Sequence, residues 1–355
     1  MRKKTILFVV GTRPEIIKTA SVIALFKKDQ RYSVKLMFSG QHQALAAQMI
    51  KEFALTVDYD LKLMKPAQSL NYLASRSVKL FEHVLTHCSP DLMMVQGDTT
   101  TAFCASLAAF YRKIPVAHIE AGLRTLDKYR PYPEEINRAM ISRIADMHFA
   151  PTQQAKRNLL REGVPAQSII VTGNTVIDAL LYIIKNKQAS YKLPSVVASC
   201  EKIVLVTAHR RESFGIPLQH ICRALKIIAR KHPDLGIVYP VHPNPEVRRI
   251  ANQELIGLRN IALIEPLGYI DFIKLMERSC IVLTDSGGIQ EEAPSLGKPV
   301  LILRDKTERP EVVQAGCAKL IGTSTQSIVS ACERLLSNKQ SYQSMSRKKN
   351  PVGDG

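Results

Sequence analysis

Three carboxylates stand in short polar clusters: Asp98 in Gln96-Gly97-Asp98-Thr99, Glu120 in His118-Ile119-Glu120-Ala121-Gly122, and Glu134 in Pro131-Tyr132-Pro133-Glu134-Glu135. Gly173-Asn174-Thr175 is a fourth cluster of the same kind. Carboxylates gathered at one sheet edge repel one another, and partial burial adds to the effect, so a pKa rises toward neutrality and an acid/base pair results. If the apolar runs before Asp98 and Glu120 are neighbouring parallel strands, those two stand close together. A plainer role fits the same spacing, with Asp98 capping the Thr-rich helix start that follows it.

Other polar clusters also follow apolar runs, and two of them, at residues 11–18 and 284–292, have the makings of anion sites. Gly11-Thr12-Arg13-Pro14-Glu15-Ile16-Ile17-Lys18 follows the first apolar run. Gly11 allows a tight turn, Pro14 suits the first turn of a helix, and Arg13 and Lys18 bring positive charge to that helix start. Further on come His209 and Arg210 in Thr207-Ala208-His209-Arg210-Arg211-Glu212, His242 in Tyr239-Pro240-Val241-His242-Pro243, and Glu265 and Leu267 in Glu265-Pro266-Leu267. The most specific is Thr284-Asp285-Ser286-Gly287-Gly288-Ile289-Gln290-Glu291-Glu292, where an apolar run passes through Ser286, Gly287 and Gly288 into a helix. Such a turn presents backbone N–H groups to a phosphate. Glu292, about a turn into that helix, is placed to accept from both hydroxyls of a ribose, although a solvated helical glutamate fits as well. His209 and His242 lack ligand spacing to another His or Cys, so no metal is expected. A Gly-x-Gly-x-x-Gly fingerprint is absent, which argues against a bound dinucleotide and chemistry by transient oxidation; no cofactor is expected.

Elements that could position these groups alternate along the whole chain. The expected strands are residues 5–10, 34–38, 92–95, 116–119, 147–149 and 169–171, then 203–207, 237–240, 261–264, 281–284 and 300–303, separated by segments of helical periodicity. That alternation is an α/β pattern with parallel sheets, in which ligands gather beyond the carboxyl ends of strands. The polar stretch 183–200, with Pro194, interrupts it and reads as a linker between two doubly wound, Rossmann-like domains, residues 1–182 and 183–355.

Composition narrows the classes. With 46% hydrophobic and 23% charged residues in 355, the chain is an ordinary globular one, long enough for two domains. No apolar run approaches the roughly 20 residues of a membrane span, and residues 6–10 are too few for a signal-peptide core, so a cytoplasmic protein without membrane insertion is expected. The seven cysteines are odd in number and lack Cys-x-x-Cys, which reads as reduced packing thiols. The formal charge of +18 is spread along the chain and not interleaved with aromatics, so a nucleic-acid partner is not expected.

Taken together, the motifs resemble the non-hydrolysing UDP-N-acetylglucosamine 2-epimerases of bacterial cell-surface polysaccharide synthesis. Residues 11–15, 96–99, 118–124, 133–138, 209–212, 285–294 and 307–311 follow that family's pattern in order. The resemblance implies the GT-B architecture, two Rossmann-like domains with a central cleft, and UDP held mainly by the second. It implies that a base removes the C2 proton of UDP-N-acetylglucosamine while UDP leaves C1, giving a 2-acetamidoglucal. UDP then returns and C2 is reprotonated on the opposite face to give UDP-N-acetylmannosamine. Asp98, Glu120, Glu134 and His209 become the catalytic candidates. Arg138 supports the carboxylates, and His209 and Arg13 meet the diphosphate. Lys18, Arg210, His242, Glu265, Leu267, Ser286, Gly287 and Gly288 bind substrate as well, with Glu292 on the ribose. A homodimer is expected. The family pattern continues beyond residues 350–355 into a helix that returns to the first domain, whereas this sequence ends there.

Three other readings share parts of the pattern: a hydrolysing 2-epimerase releasing N-acetylmannosamine, a GT-B glycosyltransferase, and a non-catalytic nucleotide-sugar binder. Pro14-Glu15 after Gly-Thr-Arg matches the non-hydrolysing branch. Family members also bind a second, activating UDP-N-acetylglucosamine. Gln41, Glu134, Arg210 and His242 occupy matching positions here, but Ala44 stands where Gln or Glu is usual and Ala67 where Arg is usual. Weak or absent activation by substrate is therefore expected.

Overall fold

The computed structural model describes residues 2–40, 43–64, 68–210, 213–307 and 309–355. The chain forms two compact units, Met1–Ala179 with Gly355, and Leu180–Asp354. Each is an α/β layer structure around a wholly parallel sheet.

In the first unit the strands are β1 (Lys4–Val10), β2 (Tyr32–Phe38), β3 (Tyr59–Asp60), β4 (Leu92–Gln96), β5 (Val116–Ile119), β6 (Met147–Ala150) and β7 (Ile169–Val171). They lie side by side in the order β3-β2-β1-β4-β5-β6-β7. Because helices cover both faces, the central strands are continuously apolar rather than alternating. Leu7 and Val9 of β1 pack with Met93, Val95, Phe81 and Leu85 on one face, while Phe8 turns to the other and meets Phe26 edge-on at 6.1 Å. Gly11, directly after β1, permits no side chain: a Cβ there would lie 2.4 Å from Ser39 Oγ and 2.5 Å from Thr101 Oγ1.

The second unit repeats the plan with β8 (Lys202–Thr207), β9 (Leu235–Pro240), β10 (Ile261–Ile264), β11 (Ile281–Thr284), β12 (Val300–Ile302) and β13 (Ala318–Leu320). Their order is β10-β9-β8-β11-β12-β13. Val204, Val206, Ile221, Leu225, Ile237, Tyr239 and Leu283 form its core. Two strands lie outside the sequence expectation. β3 has only two residues and is not buried, and β13 carries exposed Lys319 at its centre, so neither produces an apolar run.

The stretch 183–200 packs as part of the second unit, and the division falls at Ala179–Leu180 inside the helix Val176–Asn186. Polar contacts anchor it: Ser190 donates from N and Oγ to Asp271, and Lys274 Nζ donates to the Ile184 carbonyl at 2.8 Å. Among the described residues no helix is long and apolar enough to cross a membrane.

Both sheets reverse their winding at one place, between β1 and β4 in the first unit and between β8 and β11 in the second. Crevices at such switch points, beyond the carboxyl ends of strands, are where doubly wound sheets bind ligands. The polar clusters at residues 11–15, 96–99, 207–210 and 284–288 follow these four strands.

Candidate functional site

The carboxyl end of β1 is tied to that of β4 through Glu15. Its carboxylate accepts from the amides of Gly11 and Thr12 at 3.0 and 2.7 Å, and from the Thr99 hydroxyl at 2.7 Å. Thr99 also caps the helix Thr100–Tyr111, accepting from the Ala102 amide. Asp98 is therefore not the cap and its carboxylate is available for other work.

That carboxylate meets Arg138 Nη2 at 3.1 Å. Burial raises the Asp98 pKa to about 6, against the opposing pull of Arg138 and with help from the charges of Glu120 and Glu134. Arg138 is itself nearly buried, also lies 3.6 Å from Glu135, and projects from the helix Glu134–Ile144. Glu134 is the first residue of that helix, so its backbone carbonyl reaches Arg138 Nε at 3.4 Å.

β4 and β5 are parallel neighbours, with Gln96 opposite Ile119, so Glu120 follows Ile119 beside the Asp98 loop. Three donors converge on Glu120: Lys18 Nζ at 2.5 Å and Asn174 Nδ2 at 2.8 Å on one oxygen, and Gln96 Nε2 on the other. This is the arrangement of a carboxylate anion, which is acceptor-only. Glu120 also has φ +66°, a left-handed conformation rare outside glycine and enriched at functional sites. Gln96 and Asn174 stand in the clusters singled out in the sequence but carry no charge, so only the strand ends brought together expose their part.

In the second unit, β8 and β11 end in Thr207 and Thr284, whose hydroxyls bond to one another at 2.7 Å. Just beyond, Asp285 is fully buried and accepts through Oδ2 from the amides of His209 and Arg210 at 2.7 and 2.8 Å. His209 Nδ1 lies 3.5 Å from the other oxygen, Oδ1. The imidazole stacks on His242 with centroids 5.7 Å apart and planes 12° apart. Burial lowers the His209 pKa, and the charge of Asp285 opposes that shift. Ser286 is the N-cap of the helix Gly287–Glu292. Nothing lies within 4 Å of a Cβ built on Gly288, and Arg210 Nη2 lies 3.8 Å from one built on Gly287. The open space over Gly288 and the guanidinium beside Gly287 suit an anionic ligand.

Glu292 is not a solvated helical residue: it ends that short helix, is 6% exposed, and accepts from Tyr269 Oη at 2.6 Å. Arg13 is half-buried at the start of the helix Arg13–Lys28. Glu265 is exposed and paired with Arg248, and Leu267 is half-buried in the turn after β10. Gln41 and Ala67, expected at a second nucleotide-sugar site, lie outside the described residues, as do Arg211, Glu212, Glu308 and the side chain of Ala44. The structure thus brings Lys18, Asp98, Glu120 and Arg138 together in one unit, and His209, Arg210, His242 and Gly287 in the other.

Residues 24–355 match the family described as UDP-N-acetylglucosamine 2-epimerase. The Escherichia coli K12 UDP-N-acetylglucosamine 2-epimerase is 49% identical over 99% of this chain and 95% of its own length. A crystal structure of the Neisseria meningitidis UDP-GlcNAc 2-epimerase bound to UDP-GlcNAc superposes with a TM-score of 0.87, at 45% identity, covering 99% of this chain and 96% of that one.

Proposed function

The chain belongs to the UDP-N-acetylglucosamine 2-epimerase family, and from that premise we propose that it interconverts UDP-N-acetylglucosamine and UDP-N-acetylmannosamine without net hydrolysis. A carboxylate takes the C2 proton, and the electron pair of that C–H bond becomes the C1=C2 bond. The C1–O bond to the diphosphate breaks, leaving 2-acetamidoglucal and UDP. A diphosphate oxygen then re-adds to C1 as a second group delivers a proton to the other face of C2. The C2 proton is not acidic, so the base must be ionised yet poised near the working pH. The observation that carries this reading is the pairing of Asp98, raised to about 6, with Glu120, held by three donors.

Asp98, Glu120 and Glu134 are the acid/base groups, with Arg138 beside Asp98. His209, Arg13, Arg210 and the amides after Ser286 take the diphosphate, Glu292 takes the ribose, and Lys18, His242, Glu265 and Leu267 complete the substrate contacts. Excluding water keeps the glucal from leaving or adding water. The enzyme works as a cytoplasmic homodimer that supplies a polysaccharide precursor. Substrate activation is weak, because Ala44 and Ala67 replace polar residues usual in the family.

Incubation with UDP-N-acetylglucosamine in deuterated water, followed by proton NMR, tests the reaction. Deuterium at C2 and accumulation of UDP-N-acetylmannosamine are expected; free N-acetylmannosamine as the main product overturns the non-hydrolysing reading. Started from UDP-N-acetylmannosamine, the reverse reaction should begin at once. A lag abolished by traces of UDP-N-acetylglucosamine would show that activation survives.

A further inference from the structure

Asp285 is wholly buried at the carboxyl end of β11, on the switch point of the second unit. One of its oxygens is fully used. Oδ2 accepts from two successive amides, those of His209 and Arg210, and lies 3.4 Å from Ser213 Oγ. The other, Oδ1, has no hydrogen-bond partner among the described residues although it is buried, and it faces His209 Nδ1 at 3.5 Å. A buried carboxylate oxygen without a donor is costly, so its direction needs an account.

We infer that Asp285 is a positioning residue for His209: it fixes the backbone that carries the imidazole and accepts from Nδ1–H, so that Nε2 faces the diphosphate. The inference rests on the proposed function for the identity of that anion. A carboxylate at Nδ1 selects one tautomer and stabilises the imidazolium. The groups facing the ring fit this need. Burial disfavours a positive charge on it, Asp285 is the opposing influence, and the stacked His242 and Arg210 add smaller disfavouring contributions. With the diphosphate at Nε2, the ring lies between two anions and holds its second proton, and Nε2–H donates to the diphosphate oxygen as the C1–O bond breaks. When UDP re-adds, the same contact weakens as negative charge leaves that oxygen. The surroundings keep Asp285 still: the Thr207 and Thr284 hydroxyls join β8 to β11, and Tyr239 Oη donates to the Ala208 carbonyl at 2.7 Å.

The test separates charge from scaffold. Asp285→Asn keeps an acceptor for the two amides but turns an NH2 toward Nδ1. Histidine-labelled protein, with His209→Gln to assign the signal, is titrated by nitrogen-15 NMR with and without UDP. Wild type should show the Nδ1–H tautomer. Asp285→Asn should show the Nε2–H tautomer and a pKa lower by at least about one unit, with kcat down roughly 10- to 100-fold and KM little changed. On the His209→Gln background the same substitution should cost almost nothing further, because its effect runs through the imidazole. Equal losses on both backgrounds, or an unchanged titration, would mean that Asp285 only holds the loop. If Asp285→Asn does not fold, the wild-type tautomer decides, and Nε2–H there overturns the inference. Absence of deuterium exchange at C2 in wild type would instead sink the proposed reaction, leaving the titration to judge Asp285 independently.

Discussion

Asp98 and Glu120 follow neighbouring strands, yet their surroundings differ among the described residues: the Arg138 guanidinium meets Asp98, while Lys18, Asn174 and Gln96 donate to Glu120. Desolvation raises the Asp98 pKa to about 6, so its proton exchanges near neutrality, whereas the donors on Glu120 orient both of its oxygens. Asp98→Asn, Glu120→Gln and Glu134→Gln are each expected to lower turnover at least about a hundredfold, since acid/base groups contribute roughly 10² to 10⁴ in rate. UDP affinity should be nearly intact by calorimetry; normal turnover in two of the three would remove the assignment. In the direction where Asp98 is the base, it must be ionised, so kcat/KM should fall as pH drops through about 6. An acid limb unchanged in Asp98→Asn would assign it to another group. Glu292 is buried and held by Tyr269, which restricts it for directed acceptance. Glu292→Ala should weaken UDP binding by about 1.5 to 3 kcal/mol per lost hydrogen bond, and unchanged affinity would leave it a packing residue.

Among the elements, β4 and β5 are joined beyond their ladder by His118, whose Nε2 donates to the Gly97 carbonyl at 2.7 Å. Gly97 has φ +71° and precedes Asp98, so this bond sets the turn that carries the carboxylate. His118 is fully buried, and burial pushes its pKa down to about 4, so it folds as the neutral ring. The sign follows. A lowered folded-state pKa contributes stability that is present above the ordinary value of 6.5 and is lost as pH falls toward 4, up to about 3 kcal/mol. Denaturant unfolding across that window should show the loss. His118→Gln, which keeps a donor for Gly97 but cannot titrate, should flatten that part of the profile. An equally steep profile in the variant would assign the acid sensitivity to other groups.

For the molecule as a whole, two sheets with separate cores divide the polar groups between them: the Asp98, Glu120 and Glu134 carboxylates in the first unit, the His209 and Ser286 loops in the second. If UDP is bound mainly by the second unit, hydrogen exchange with saturating UDP should slow most at residues 207–210 and 284–292. Ligand that binds only the folded state adds about 2.7 kcal/mol at a hundred times Kd, so the protection should be large. Protection confined to residues 11–18 and 96–99 would reverse the division of roles.

The sequence alone determined the α/β class and most of the strands, because buried parallel strands must be apolar runs and the clusters that follow them must be polar. It also marked Asp98, Glu120, His209 and the Ser286 turn, since unusual residue types at strand ends stand out against that background. It could not reveal that Thr99 rather than Asp98 caps the helix, that Gln96 and Asn174 hold Glu120, or that Asp285 faces His209 across 76 residues. Nor did it show Glu292 held by Tyr269, 23 residues away. Those are choices among neighbours, and strand order decides which neighbours meet. β1 lies beside β4 and β8 beside β11 only because each sheet reverses its winding there, a property of tertiary packing that no local pattern encodes.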